Sequence, residues 1–399
     1  MLYPGAAVER AMRIQEVICR AISGQIHWFQ AAEILGVSVR TMSRWKEYYQ
    51  KKGYDGLFDR RRRRPSPKRV PYAQVEAVLR LFRERYSDFN VKHFHEKLTE
   101  EHGIALSYTW VKSALQEAGL MARRTRRGPH RKRRPRRPME GMLLHLDGST
   151  HPWLTLCPDQ RDDLLVLMDD ATSRVYEARL VEEEDTRSSM TVLRDCVKKH
   201  GVFCALYTDR GSHFALTPKE GGAVDRSRPT QIGRALQELH IESIFAYSPQ
   251  ARGRSERLFG TWQGRLPQEL RLRGIRDRET ANAFLRKTFI PWHNRHFATP
   301  AEQPGSAFTP LLDRTLLDRV FCLEHTRVVD NDNTVRFDRR VLQLAPASFR
   351  FSFARCQVTV REHLDGAISI WHGPRRIGRY DSAGTPAQGA PREKTREVA

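Results

Sequence analysis

Three carboxylates stand where the sequence could build a phosphoryl-transfer site. Asp147 follows the apolar run MLLHL, Asp209 follows CALYT, and Glu256 lies in the first turns of a predicted helix opened by Ser248-Pro249. Carboxylates at the C-terminal ends of neighbouring strands converge on one edge of a sheet, where a crossing helix can bring a third. Such a trio repels itself until cations neutralise it. Mg²⁺ takes hard oxygen ligands and completes its shell with water and phosphate oxygens, so an all-carboxylate cluster suits it. Two such ions roughly 3.5 to 4 Å apart can activate a water or a 3′-hydroxyl on one side of a phosphorus and stabilise the leaving oxygen on the other. Taken singly, each residue reads more simply as a strand-end turn or a helix-surface charge. Their agreement with one architecture sets them apart.

The elements that must position the trio begin after Gly141, where composition shifts to strands. MLLHLDGS, DLLVLMDDATSR and VYEARLV read as three consecutive strands. A helix over 186–200 follows, then the strand ending at Asp209, a helix near 231–239, a short strand at 242–245 and one helix from about 253 through 272. From about 326 to 380 apolar residues alternate again, and Asp365-Gly366 makes a good hairpin turn, so a small β-barrel or sandwich is expected there.

The preceding 140 residues read as helical modules joined by basic linkers. In AAEILGVSVRTMSRW, Ala32 permits close helix approach, Gly36 makes a turn, and Met42 and Trp45 anchor the second helix, which Ser38 can cap. This is helix-turn-helix spacing, with Val39, Arg40, Ser43, Arg44 and Glu47 facing outwards. Arg40, Thr41 and Arg44 are the candidate DNA contacts. A plain helical hairpin has the same pattern. Five arginines at 60–64 and Pro65-Ser66-Pro67 mark a linker. A second helical unit follows, with helices near 72–86, 91–102 and 108–118; it reads as another DNA-binding unit or as a structural bundle. Residues 121–138 hold ten arginines and lysines and no acidic residue, broken by prolines. That run should track a phosphate backbone through Arg123, Arg124, Arg126, Arg127, Arg131, Lys132, Arg133 and Arg134.

The whole chain of 399 residues carries 69 basic and 47 acidic residues, a formal charge of +22, and so favours a polyanion as partner. No apolar run reaches the length of a membrane span, and residues 1–11 lack the basic start and apolar block of a secretory signal. A soluble intracellular protein is expected, with no membrane partner. The six cysteines are scattered without Cys-x-x-Cys pairs and read as reduced and structural.

The stretches HLDGSTHPWL, LLVLMDDATSRV, LYTDRGSHF, YSPQARGRSERLFGTWQGRLPQELRLRGI and HNRHFATPAE resemble the DDE transposases with a retroviral-integrase-like core, most closely the bacterial insertion-sequence group labelled ISNCY. The likeness extends to the helix-turn-helix with its DGLFDRRRRRPS tail and to the C-terminal β segment. It implies a multidomain α+β protein with N-terminal helix-turn-helix domains, a ribonuclease-H-like α/β core and a C-terminal small β-barrel. It further implies Asp147, Asp209 and Glu256 as catalytic and metal-holding triad, two Mg²⁺ ions that Mn²⁺ can replace, and double-stranded DNA as substrate, both the terminal inverted repeats of a mobile element and its target. Because two ends must be joined, a homodimer or larger assembly is expected, in the bacterial cytoplasm and on the nucleoid when bound to DNA. The 46 residues between Asp209 and Glu256 exceed the spacer common in that superfamily. Their insertion PKEGGAVDRSRP is either a DNA-contacting loop or a tolerated one.

The expected organisation is a helix-turn-helix domain at 1–59, a basic linker at 60–70, the second helical domain at 71–120, the arginine-rich linker at 121–140, the catalytic core at 141–300, a connector at 301–325, the barrel at 326–381 and a disordered tail at 382–399. Asp169 and Asp170 are a rival acidic pair, set away from the metal edge by the resemblance. His93, His95, His293 and His296 lack a completing partner and are expected to be solvated or capping. His151 and Trp153 are expected near the active cleft, with the roles of Ser248 and Gln250 open, and Arg252 is assigned to phosphate. A DNA-binding regulator with a dead core, or a structure-specific nuclease on the same fold, would share many of these features. The intact carboxylates argue against the first, and the several DNA-binding modules against the second.

Overall fold

The computed structural model describes residues 5–58, 69–123, 134–217, 222, 224–225, 227–246, 253–313 and 315–387. The chain divides into two units, Met1–Leu81 and Phe82–Ala399.

In the first unit, α1 (Gly5–Ile22) buries Ala11, Ile14, Val17, Ile18 and Ala21, a stripe at helical spacing. It packs with α2 (Trp28–Ile34) and α3 (Val39–Lys52), which contribute Ala31, Ala32 and Met42 to one core. Gly36 sits at φ +62°, a backbone that side-chain-bearing residues rarely adopt, and turns the chain between α2 and α3. Ser38 then caps α3 by accepting the Thr41 N–H at 3.2 Å. The expected helix-turn-helix is formed.

The division between the units falls inside α4 (Tyr72–Arg85). Next come α5 (Val91–Glu100), capped by Asn90, and α6 (Tyr108–Glu117), capped by Ser107. Phe82, Phe94, Leu98, Val111 and Leu115 are all buried here, and the rings of Phe82 and Phe94 meet edge to face.

The central sheet contains β1 (Leu144–His151), β2 (Asp162–Asp169), β3 (Val175–Val181), β4 (Ala205–Thr208) and β5 (Glu242–Phe245) in the order β3-β2-β1-β4-β5. β1, β2 and β3 form an antiparallel meander, while β4 and β5 add in parallel through the crossovers α7 (Thr186–His200) and α8 (Gln231–Glu238). This is the mixed sheet of a ribonuclease-H-like core. Period-two alternation gives it two faces. Leu144, Leu146, Leu165 and Leu167 pack against α7 and α8. On the other face Leu164, Val166 and Met168 meet α9 (Gly253–Gln263), α10 (Leu266–Leu272) and α11 (Arg278–Phe284) through Phe259, Trp262, Leu270 and Ala281. Trp262 is fully buried, and truncating it to alanine would cost roughly 3 to 5 kcal/mol. A π-helical turn at Leu285–Phe289 leads into α12 (Ile290–Phe297).

The single helix expected over 253–272 is two. α9 stops at Gln263 and α10 starts at Leu266 with Pro267 in its first turn. Proline lacks the N–H that would continue the α9 hydrogen-bond ladder and is tolerated only at a helix start. The freed Gly264 carbonyl accepts Asn90 Nδ2 at 2.8 Å.

The expected C-terminal barrel is corrected as well. After α13 (Thr315–Val320), the strands β6 (Cys322–Val328), β9 (Gln357–His363), β10 (Ile368–His372) and β11 (Arg375–Tyr380) form an open sheet in the order β11-β10-β9-β6. β7 (Thr334–Phe337) and β8 (Arg340–Gln343) pair only with each other. A barrel needs its first and last strands bonded. Among the described residues no strand links β6 to β11; the alternation instead fills one apolar cluster that includes Val335, Leu342, Phe353, Val360 and Ile370. Residues 382–387, expected to be disordered, fold back so that Ala387 N–H reaches Arg379 O at 3.0 Å, and 388–399 lie outside the described residues. No helix among the described residues is long and apolar enough to cross a membrane.

Candidate active site

Asp147, expected at the end of the first strand, is buried in the middle of β1, opposite Val166 of β2, because pairing with β2 carries the strand on to His151. It lies on the sheet face that receives α9. β1 and β4 pair in parallel, Leu144 with Leu206 and His145 with Tyr207. Carrying that register along the strands places Asp147 beside Asp209, which stands one residue beyond β4. Neighbouring strands are about 4.8 Å apart, so two carboxylates in that register would face the same edge of the sheet. Asp209 Oδ1 accepts the Gly211 N–H at 2.8 Å, which holds the strand-end turn.

The third carboxylate is placed by α9, which is held to β1 at two points. Gln263 Nε2 donates to Ser149 Oγ at 3.1 Å. At the other end Arg254 bonds Asp170, and Asp170 Oδ1 lies 2.8 Å from His145 Nε2. His145 and Ser149 lie two residues before and after Asp147, on the same face of the strand. Glu256 and Gln263 share a helical flank two turns apart, so the flank that touches Ser149 also carries Glu256. The Glu256 side chain is exposed. Among the described residues no three His, Cys, Asp or Glu side chains already stand as a metal-holding group, and residues 247–252, which lead into α9, lie outside them. Ser248, Gln250 and Arg252 belong to that stretch. The donors fit Mg²⁺ in kind: hard carboxylate oxygens on adjacent strands, with an acidic helix flank lying along the same strand.

Several residues around the site escaped the sequence reading. A side chain at Gly148 would collide with the Glu184 carboxylate, whose Oε1 is 3.3 Å from His213 Nε2. His213 in turn packs beside Gly211, so an acid-imidazole pair lies between Gly148 of β1 and the turn that follows Asp209. Burial, reinforced by Arg134 and Arg254, pulls the His145 imidazole down to about 3, so it is neutral and Nε2 donates to Asp170. Its position two residues before Asp147 was the available signal. Asp169 and Asp170 each have other partners. Asp169 is buried at the far end of β2, accepting the N–H of Gly141 and both the N–H and hydroxyl of Thr172. Trp153 does not line a cleft: it is fully buried, and Nε1 donates to Ser149 O at 3.0 Å. His151 stays partly exposed beside it.

Two of the four histidines expected to be solvated or capping are core groups. His93 on α5 is buried with Nε2 2.6 Å from Glu269 Oε1 on α10, and His293 is buried with Nδ1 accepting Trp262 Nε1–H at 2.9 Å. Their partners lie 176 and 31 residues away, so local spacing could not reveal them. Lys97 also reaches Glu269 at 2.8 Å, and Arg265 holds Glu96 through both guanidinium nitrogens. Burial works to raise the Glu269 carboxyl, but the bonds from His93 and Lys97 outweigh it and bring it to about 2.

Of the candidate DNA contacts, Arg40 and Arg44 are exposed on α3 beside Val39, Ser43 and Glu47. Thr41 is half-buried, its hydroxyl 2.9 Å from Ser38 Oγ in the helix cap. Arg123 is exposed, whereas Arg124, Arg126, Arg127, Arg131, Lys132 and Arg133 lie outside the described residues. The Arg134 guanidinium is engaged by Asp170 at 2.5 Å.

The family profile of a helix-turn-helix domain matches residues 13–66, and that of a homeodomain-like domain matches residues 41–115. Over 390 residues the chain is 33% identical to the protein titled "Putative transposase y4bF" of Sinorhizobium fredii, covering 96% of this chain and 84% of that one. It is 27% identical over 341 residues to the transposase for insertion sequence IS1202 of Streptococcus pneumoniae, covering 77% of this chain and 72% of the relative. Among solved structures, the HTLV-2 integrase catalytic core domain in complex with magnesium (trimeric form) aligns at 14% identity and a TM-score of 0.30 over 45% of this chain and 97% of that one, too slight a likeness to build on. With its helix-turn-helix modules and its relation to y4bF along almost the whole sequence, the chain belongs to the transposase family.

Proposed function

We propose that this transposase binds the terminal inverted repeats of an insertion sequence and catalyses metal-dependent strand cleavage and strand transfer into target DNA, with Asp147, Asp209 and Glu256 as the catalytic triad. The observation that supports this reading is the parallel pairing of β1 with β4 at Leu144–Leu206 and His145–Tyr207, the second pair two residues ahead of Asp147 and Asp209 on the same strand face. Two Mg²⁺ ions bound there, replaceable by Mn²⁺, would supply the positive charge that activates the attacking oxygen and stabilises the leaving one. The chain's own part is placement. Pairing with β2 holds Asp147, the Gly211 N–H fixes the Asp209 carboxylate, the Gln263–Ser149 bond turns the Glu256 flank of α9 towards β1, and the Arg254–Asp170 bond fastens the start of that helix. Arg40 and Arg44 face outwards to read the repeat, while the arginine-rich run follows the backbone with Arg252 near the reacting phosphate. Two DNA ends and one triad per chain make a dimer or larger assembly the working form.

Asp147→Asn, Asp209→Asn and Glu256→Gln preserve shape while removing one charge each. All three should bind terminal-repeat DNA normally and lose strand transfer in Mg²⁺, measured with a labelled repeat end. Near-normal transfer by Glu256→Gln would identify the wrong third carboxylate, and near-normal transfer by all three would overturn the mechanism.

A further inference from the structure

Asp170 follows β2 and is completely buried, with its carboxylate engaged by two arginines, a histidine and a backbone N–H. Oδ1 receives Arg134 Nη2 at 2.5 Å, His145 Nε2 at 2.8 Å and the Arg254 guanidinium, while Oδ2 receives the Arg137 N–H at 2.7 Å. Arg254 also donates through Nη2 to the Arg134 carbonyl at 2.9 Å. Arg136 closes the knot by donating to the carbonyls of Asp170 and Ala171 and to Ser173 Oγ. Charge-assisted hydrogen bonds in such a water-poor place are short and directional, and a buried carboxylate left without its cations is strongly unfavourable. The arrangement is therefore rigid.

Its position gives that rigidity a consequence. Arg254 lies two residues before Glu256 in the first turn of α9, and His145 lies two residues before Asp147 on β1. We propose that Asp170 is a positioning residue for strand transfer: by binding Arg254 and His145 together, it fixes the start of α9 against β1 and so sets where the Glu256 carboxylate stands relative to Asp147. This rests on reading Glu256 as the third metal-holding carboxylate. The Gln263–Ser149 bond fixes the far end of the helix, and two fixed points leave α9 little freedom to slide or swing. The arginine-rich segment enters the core through the same carboxylate.

The test is Mn²⁺ binding by the full chain without DNA, followed by the electron paramagnetic resonance of free Mn²⁺, beside strand transfer and thermal melting. Asp170→Asn and Arg254→Gln should weaken Mn²⁺ binding by about 10- to 100-fold, the range typical of groups that orient metal ligands, with strand transfer falling in parallel. Arg254→Lys, which keeps the charge, should recover part of the affinity. If Asp170→Asn does not fold, Arg254→Gln decides, since the Arg254 side chain is 20% exposed and its removal leaves Asp170 bonded to Arg134, Arg137 and His145. A merely structural role would lower melting temperature and leave Mn²⁺ affinity at the wild-type value, which would overturn the proposal. Glu256→Gln separates the two readings. If it too binds Mn²⁺ and transfers strands like the wild type, the triad assignment fails; if it is impaired while Arg254→Gln binds Mn²⁺ normally, only the positioning role fails.

Discussion

Substitution of Glu269 by glutamine should loosen α5 from α10 in a way that depends on pH. Glu269 accepts from His93 at 2.6 Å, from Lys97 at 2.8 Å and from Arg273, with its side chain only 10% exposed. Its carboxyl is held at about 2 in the fold against an ordinary 4.5. At about 1.4 kcal/mol per unit, that difference amounts to about 3 kcal/mol at neutral pH, in line with the roughly 3 to 5 kcal/mol typical for removing one partner of a buried ion pair. The sign follows from the depressed folded value: the contribution is complete above pH 4.5 and is lost as pH falls towards 2. Burial also lowers the His93 imidazole, so acid opposes the junction at that group as well. The assay is hydrogen exchange of peptides from residues 91–100, comparing Glu269→Gln with wild type at the same pH so that intrinsic exchange rates cancel. At pH 7 protection should drop by roughly two orders of magnitude, whereas near pH 3 about 1 kcal/mol of the difference should survive. Equal protection in both proteins at pH 7, or a gap that does not narrow with acid, would refute the account.

Arg44→Ala should weaken binding to the terminal repeat by about 1 to 3 kcal/mol more than binding to random DNA, measured by competition titration, and equal losses would remove its base-reading role. Replacing five basic residues between 123 and 137, with Arg134 and Arg136 left intact, should flatten the dependence of log affinity on log salt by up to about 0.9 per lost phosphate contact; an unchanged slope would mean that the run does not touch DNA.

Local chemistry was legible in the sequence wherever short-range rules govern it. Gly36, Ser38 and Met42 announced the helix-turn-helix because a left-handed turn, a cap and a buried anchor each act within a few residues. The apolar runs before Asp147 and Asp209 announced two strands, which pair in parallel, but β1 runs on past Asp147 to His151, because its pairing with β2 extends that far. Pro267 and Gly264 were visible too, yet the apolar periodicity running across them masked the break between α9 and α10.

What only the tertiary structure decided are contacts between residues far apart in the chain. Whether alternating strands close into a barrel depends on hydrogen bonds between first and last strands, and here β6 and β11 remain the two edges of an open sheet. Only the resemblance set Asp170 aside as a rival ligand, because an acidic pair looks the same whether it faces a cation site or a ring of arginines; Arg134 and Arg254, 36 and 84 residues away, make it the latter. His93 likewise became a core residue through Glu269. Periodicity and capping are properties of neighbouring residues, whereas the state of a buried charge is set by whatever the fold brings within about 3 Å of it, which no local pattern encodes.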